Sequence, residues 1–183
     1  MPNFDPRVAV ELPGDHRRPI LTIGMPVYDS YPQLALTLMA ILQGHPEILP
    51  DVEFVVLDNN PKSGHGHDTR EFVTKKLPHG HYVAIGPYSG TYVKDLVVRA
   101  AQTEYVLVMD SHITLPAGSL MKLINFLKRS HPTNDLFQGP IVEPNGTTFA
   151  THMNPGIGSY NFGRWGTYRG PAMKKPDIYQ VPL

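Results

Sequence analysis

The sequence predicts an α/β fold, a mostly parallel sheet flanked by helices, and three observations carry that reading. Four short apolar segments each run into an amphipathic one; Pro and Gly punctuate these units up to residue 132; and Tyr105-Val106-Leu107-Val108-Met109 is apolar without alternation, the pattern of a strand covered on both faces. Strand-then-helix units in series call for right-handed crossovers, and such sheets bind ligands at the carboxyl ends of their strands.

Ile20 to Met25 forms the first apolar segment and ends at Pro26. Ser30 ahead of Pro32 is a helix start, Leu34, Leu38, Ile41 and Leu42 share a helical face, and Gly44 supplies the stop. Phe54-Val55-Val56-Leu57 is the second strand, closed by Asp58-Asn59-Asn60-Pro61; Asp68 with Glu71 resembles a capping box for a helix through Phe72, Val73 and Leu77. Tyr82 to Ile85 is the third strand, followed through Gly86-Pro87 by a helix bearing Val93, Leu96, Val97, Ala100 and Ala101. The fourth strand, residues 105–109, stops at Asp110-Ser111-His112, and Pro116 opens a helix carrying Leu120, Leu123, Ile124 and Leu127. Beyond residue 135 the pattern changes. Phe137 to Val142 reads as a strand, Pro144-Asn145-Gly146-Thr147 as a hairpin turn into Thr148-Phe149-Ala150, and residues 154–183 as a loop-rich cover holding the only tryptophan, Trp165.

The 183 residues are one ordinary domain's worth, large enough to bury a core without staples. With no cysteine, a disulfide scaffold, a thiolate zinc site and a thiol nucleophile are excluded together. Sixteen Lys+Arg against sixteen Asp+Glu leave no net charge, which argues against binding nucleic acid chiefly through its phosphates. Neither a membrane-spanning helix nor a signal peptide is visible, and the Pro-rich Met1–Pro19 stretch is mixed in charge, so a cytoplasmic location is expected.

Asp110 and His112, two apart at a strand's carboxyl end, can give one divalent cation a carboxylate oxygen and an imidazole nitrogen; the nitrogen favours Mn²⁺ over Mg²⁺, and water and phosphate oxygens would complete the octahedron. A capped turn with a loop histidine accounts for the same spacing. Asp58 can accept a hydrogen bond from the ring N–H of uracil, or simply end a polar turn. Pro26-Val27-Tyr28 can wall a base, with Tyr28 as the stacking ring. Lys94, early in the third helix, can meet a pyrophosphate, whereas Arg99 reads as a solvated helix face. His65-Gly66-His67 and His79-Gly80-His81 invite a zinc reading, but Asp68 stands one residue too early for the His-x-His-x-Asp pattern of binuclear hydrolases.

Taken together, three segments in order resemble nucleotide-sugar glycosyltransferases of the GT-A fold, family 2-like, over about residues 18–145: Leu21 to Tyr28, Val55 to Asn60, and Glu104 to His112 with Pro116 and Leu120. The resemblance implies a Rossmann-like nucleotide-sugar-binding fold and a transferase that uses Mn²⁺ (or Mg²⁺) and a nucleoside-diphosphate sugar, with UDP as the nucleotide. It implies that Pro26, Val27, Tyr28, Asp58, Lys94, Asp110 and Ser111 contact the donor and that Asp110 and His112 hold the metal. Asp-x-His stands where the commoner motif is Asp-x-Asp and is similar to that of the polypeptide N-acetylgalactosaminyltransferases, as is Gly158 to Trp165 to their Trp-containing stretch. Lys94-Asp95 stands where many relatives have Arg-Asn. One GT-A-type domain is expected over residues 1–183, a donor-binding half followed by the loop-rich segment, without the family's acceptor-binding half. The acceptor is not legible, nor is a catalytic base. Two other readings use the same features: a nucleotide-sugar-binding module without turnover, and a nucleotidyltransferase, which would be expected to bring the glycine-rich phosphate loop that this sequence lacks.

Overall fold

The computed structural model describes residues 18–86, 92–130, 132–143, 147–150, 152–157 and 162–166. Residues 1–17, 87–91, 131, 144–146, 151, 158–161 and 167–183 lie outside the described residues, and with them Pro144 to Gly146 of the expected hairpin signal and half of the Gly158 to Trp165 stretch. The chain divides into two compact units between Pro132 and Thr133.

In the first unit β1 (Leu21–Val27), β2 (Val52–Asp58), β3 (Gly80–Ala84) and β4 (Tyr105–Val108) form one parallel sheet in the order β3-β2-β1-β4. The intervening helices are α1 (Tyr31–Gly44), α2 (Gly66–Lys76) and α3 (Val93–Ala100), and α4 (Ser119–Ser130) follows β4. The core sits on both faces of β1 and β2: every residue of β2 is buried, and so is every residue of β1 except Pro26. Val55 and Leu57, alternate residues of β2, pack with Val93, Leu96, Val97 and Ala100 of α3, and Val106 and Val108 of β4 join them. Each valine or leucine among them that is fully removed from water contributes roughly 1.5–3 kcal/mol.

Gly24 sets how closely α3 can approach. A Cβ at that position would overlap Val97 Cγ1 outright, so only hydrogen fits between the centre of the sheet and the helix.

Five expectations change. β1 does not end before Pro26 but runs through it to Val27. Gly24 O accepts from Met109 N on the β4 side and Val27 O accepts from Asn59 N on the β2 side, so Pro26 faces β4, where the ladder has already stopped and no N–H is needed. β4 is not covered on both faces: it is half-buried throughout, because among the described strands it lies at the edge of the sheet. Asp68 is not a helix cap, since α2 starts at Gly66, whose missing side chain lets the backbone rest on the Pro61 carbonyl. In the second unit β5 is only Ile141–Val142, paired antiparallel with β6 (Thr148–Ala150), and the stretch expected to be loops contains an antiparallel pair, β7 (His152–Ile157) with β8 (Phe162–Gly166). No helix among the described residues is long and apolar enough to cross a membrane.

The amino end of the sheet is tied by a buried carboxylate. Glu53, 4% exposed, accepts from Thr22 Oγ1 of β1 at 2.5 Å and from the Gln102 backbone N–H at 2.9 Å, while its other oxygen lies 3.6 Å from His81 Nε2 of β3. Burial pushes the Glu53 carboxyl up, but the His81, Thr22 and Gln102 hydrogen bonds together outweigh it and hold the group below its ordinary value of 4.5.

Gly24→Ala should therefore cost about 1–3 kcal/mol in chemical denaturation, from overpacking against a stiff β-branched side chain, and Val97→Ala in the same chain should recover part of that loss. Equal costs in the presence and absence of Val97→Ala would remove the steric explanation. For Glu53 the folded-state carboxyl is the stronger acid, so its stabilisation is complete above pH 4.5 and is lost as pH falls through the lowered folded value. Thermal melts between pH 6 and pH 3 should accordingly fall more steeply for the wild type than for Glu53→Gln.

Candidate functional site

The strand order reverses at β1: α1 and α2 lead to neighbours on one side, whereas α3 carries the chain across to β4 on the other. Such a switch point opens a crevice at the carboxyl ends of the two strands on either side of it, here β1 and β4. Here it lies beyond Gly24 and Met109, where β1 and β4 part next to Pro26. The sequence-predicted site residues fall on the ends of β1, β2 and β4 and on the start of α3, so the fold brings them to one edge of the sheet.

Asp58 ends β2 opposite Val27. It is only 2% exposed, and both carboxylate oxygens are engaged: the Tyr82 hydroxyl donates to Oδ2 at 2.8 Å and the Asn60 backbone N–H to Oδ1 at 2.9 Å. Its own backbone carbonyl accepts from Ile85 N at 2.8 Å, fixing the strand end on which the carboxylate is mounted. Tyr82 is kept protonated, its phenol pushed up by burial first and by the bond to Asp58 second. Two of the roughly four acceptor directions of an ionised carboxylate are thereby used. Val27 is buried within the core; Tyr28, the next residue, is 62% exposed, and Asp29 after it has φ +47°, a left-handed turn that directs the chain from β1 into α1.

Asp110 is the opposite case. Its side chain is 43% exposed, and Lys94 Nζ from the first turn of α3 lies 2.7 Å from Oδ1. Period-two alternation explains the meeting: Val106 and Val108 face α3, and Asp110 continues that row beyond the strand. Arg99 pairs with Asp95 along the helix surface, as a solvated face should. Ser111 is buried, and its carbonyl accepts from Thr37 Oγ1 of α1 at 3.1 Å; His112 is exposed. The turn after β4 is thus held from both sides, by a buried hydroxyl and by an ammonium.

As a donor set for a divalent cation, an accessible carboxylate and an exposed imidazole two residues apart are chemically suitable, and Asp110 already carries a positive charge against it. Among the described residues no group of three or more His, Asp or Glu gathers to hold an ion, so further ligands would have to be ligand oxygens or water. The two His-Gly-His segments serve other ends: His67 lies near Asp68 and Glu71 at the start of α2, His79 takes φ +50° in the turn before β3, and His81 faces Glu53.

Tyr82 and Thr37 were not legible as site residues. Each reads as an ordinary member of a strand or helix, and only the pairing of β2 with β3 and the packing of α1 bring their hydroxyls to Asp58 and Ser111.

The family model described as Glycosyl transferase family 2 matches residues 22–179. No curated protein sequence matches the chain. Among solved structures, the mannosyltransferase PcManGT from Pyrobaculum calidifontis, in complex with GDP-Man and Mn²⁺, is similar with a TM-score of 0.54 at 20% identity, over 71% of this chain and 37% of that one. TarS from S. aureus gives 0.51 at 18% identity, over 68% of this chain and 24% of TarS. TarS 1-349 in complex with UDP-GlcNAc gives 0.50 at 14% identity, over 69% and 41%. The chain therefore spans well under half the length of these proteins, and what it shares with them is the GT-A, Rossmann-like fold.

Proposed function

The chain belongs to glycosyl transferase family 2, and from that membership we propose that it acts as a metal-dependent glycosyltransferase, taking a sugar from a nucleoside-diphosphate donor, with UDP as the nucleotide, to an acceptor. The observation that carries the proposal is the pair of carboxylates at the carboxyl edge on the two strands flanking β1, one buried among neutral donors and one accessible beside an ammonium. The first suits a base and the second a diphosphate with its counter-ion.

In this reading Tyr28 offers its exposed ring to the base, and Pro26 and Val27 form the end of the strand beneath it. Asp58 accepts the imino N–H of the base. The similar solved structures carry different nucleotides, GDP-Man in one and UDP-GlcNAc in another, so the choice of UDP rests on Asp58 itself. A guanine presents two adjacent donors and would engage both oxygens together, whereas Tyr82 and Asn60 already take one direction on each oxygen of a carboxylate that is almost wholly buried. A single uracil N–H asks less of it, and adenine and cytosine have no such donor.

Asp110 and His112 would hold Mn²⁺ (or Mg²⁺). When bound, the ion supplies positive charge against the diphosphate as it leaves the anomeric carbon. Lys94 contributes a second positive charge on the same side, and Thr37 and Ser111 keep the turn in place.

Titration calorimetry with Mn²⁺ present should rank UDP above GDP and ADP. Asp58→Asn keeps the shape and an acceptor for Tyr82, but sets an amide nitrogen against the Asn60 N–H and loses the ionised acceptor, so UDP should bind at least about tenfold more weakly, the equivalent of roughly 1.5 kcal/mol for a charge-assisted hydrogen bond. Equal affinities for all three diphosphates would remove the uridine assignment. At the other carboxylate, His112→Ala should weaken Mn²⁺-dependent UDP binding without lowering the melting temperature, since an exposed histidine carries little packing, while His112→Asp should retain cation binding and shift preference toward Mg²⁺. An unchanged Mn²⁺ affinity in His112→Ala would leave only a turn histidine.

A further inference from the structure

We infer that Lys94 is a built-in stand-in for the divalent cation: its ammonium neutralises Asp110 until the cation takes that carboxylate, and the displaced ammonium then turns to the donor's diphosphate. The inference rests on the cation reading of Asp110 proposed above and goes further, since it predicts that cation and nucleotide bind as a coupled pair.

Three observations support it. Lys94 Nζ meets Asp110 Oδ1 at 2.7 Å although the side chains come from different elements and each is 43% exposed. Lys94 also sits in the first turn of α3, the positive end of the helix dipole, where a cation is disfavoured unless an anion answers it. Its neighbour on the helix, Asp95, is occupied with Arg99 at 2.9 Å, so among the described residues the anion that pairs with Lys94 is Asp110.

The energetic consequence follows from charge alone. A divalent cation arriving at Asp110 without nucleotide competes with the ammonium for the carboxylate and sets two positive charges side by side at the helix N-terminus. Arriving with a diphosphate, it brings the anion that the freed ammonium needs. Cation binding is therefore held back in the absence of nucleotide and promoted in its presence, a coupling that must be reciprocal.

Mn²⁺ binding measured by electron paramagnetic resonance, with and without UDP, tests this on the wild type, Lys94→Met and Lys94→Arg. Lys94→Met keeps the length and apolar stem but removes the charge. It should bind Mn²⁺ alone about two- to fivefold more tightly than wild type, the range expected for releasing a partly exposed ion pair, and UDP should enhance its Mn²⁺ affinity less than it does for wild type. Lys94→Arg should behave as wild type. A lysine that merely braced the turn would, on removal, weaken Mn²⁺ binding, so equal or weaker binding to Lys94→Met without nucleotide overturns the inference. Tighter binding with an undiminished UDP effect overturns transfer of the ammonium to the diphosphate. If wild type binds Mn²⁺ neither alone nor with UDP, the cation reading of Asp110 fails and the inference falls with it, whereas a Mn²⁺ response to UDP that Lys94→Met leaves unaltered sinks the inference only.

Discussion

The absence of a side chain at Gly24 is the constraint on which the rest of the first unit depends. Because β1 is central, whatever packs on it at Gly24 fixes the height of α3 above the whole sheet. At the observed height Val97 reaches the strand, and Leu96, Val93 and Ala100 close over Val55, Leu57, Val106 and Val108. The same height places the first turn of α3 level with the end of β4, and Lys94 meets Asp110. One contact in the core thus sets the electrostatics of a turn beyond it, since close-packed side chains pass such an adjustment on to their neighbours.

The sheet treats its buried and exposed acids differently, and the differences follow from what surrounds each. Glu53 at the amino end is enclosed and fully answered by a hydroxyl, a backbone N–H and a histidine drawn from β1, β3 and the turn before β4, so it joins these segments. Asp58 at the carboxyl end is equally buried but answered only by neutral donors, which keeps acceptor capacity in reserve. Asp110 is open to water and answered by a flexible ammonium, an interaction that solvent screens and that another cation can replace. Burial and partner chemistry, rather than residue type, separate a tie, a recognition group and an exchangeable counter-charge.

Much of this was legible in the sequence, for a physical reason. Parallel strands covered by helices impose apolar runs with abrupt polar ends, so the four strands of the sheet and the polar groups at their carboxyl ends, Asp58 and Asp110 among them, show in one dimension. What failed to show depends on partners distant in sequence. Pro26 looks like a strand terminator until the ladder on the β4 side is seen to have stopped before it. Tyr82, 24 residues from Asp58, and Thr37, 74 residues from Ser111, carry no local mark of what they hold. Asp68 carried a local mark that the contact of Gly66 with Pro61 overrode. The β7 and β8 strands contain Asn, Pro, Gly and Arg, a composition without the alternation that announces a hairpin.

The position of Pro26 ties strand pairing to the opening of the site. Had residue 26 carried an N–H facing β4, the chain after Met109 would have gained by continuing the ladder, and Asp110 would have been drawn into the sheet as a paired residue. Proline withdraws that donor one step after the last β1–β4 bond, so β1 offers β4 no further N–H, and Asp110, Ser111 and His112 are left to turn away. The turn is then secured by groups that do not belong to the sheet at all, Thr37 from α1 and Lys94 from α3. A strand end held by side chains from two helices keeps a carboxylate accessible at a fixed place, which a backbone ladder would have buried.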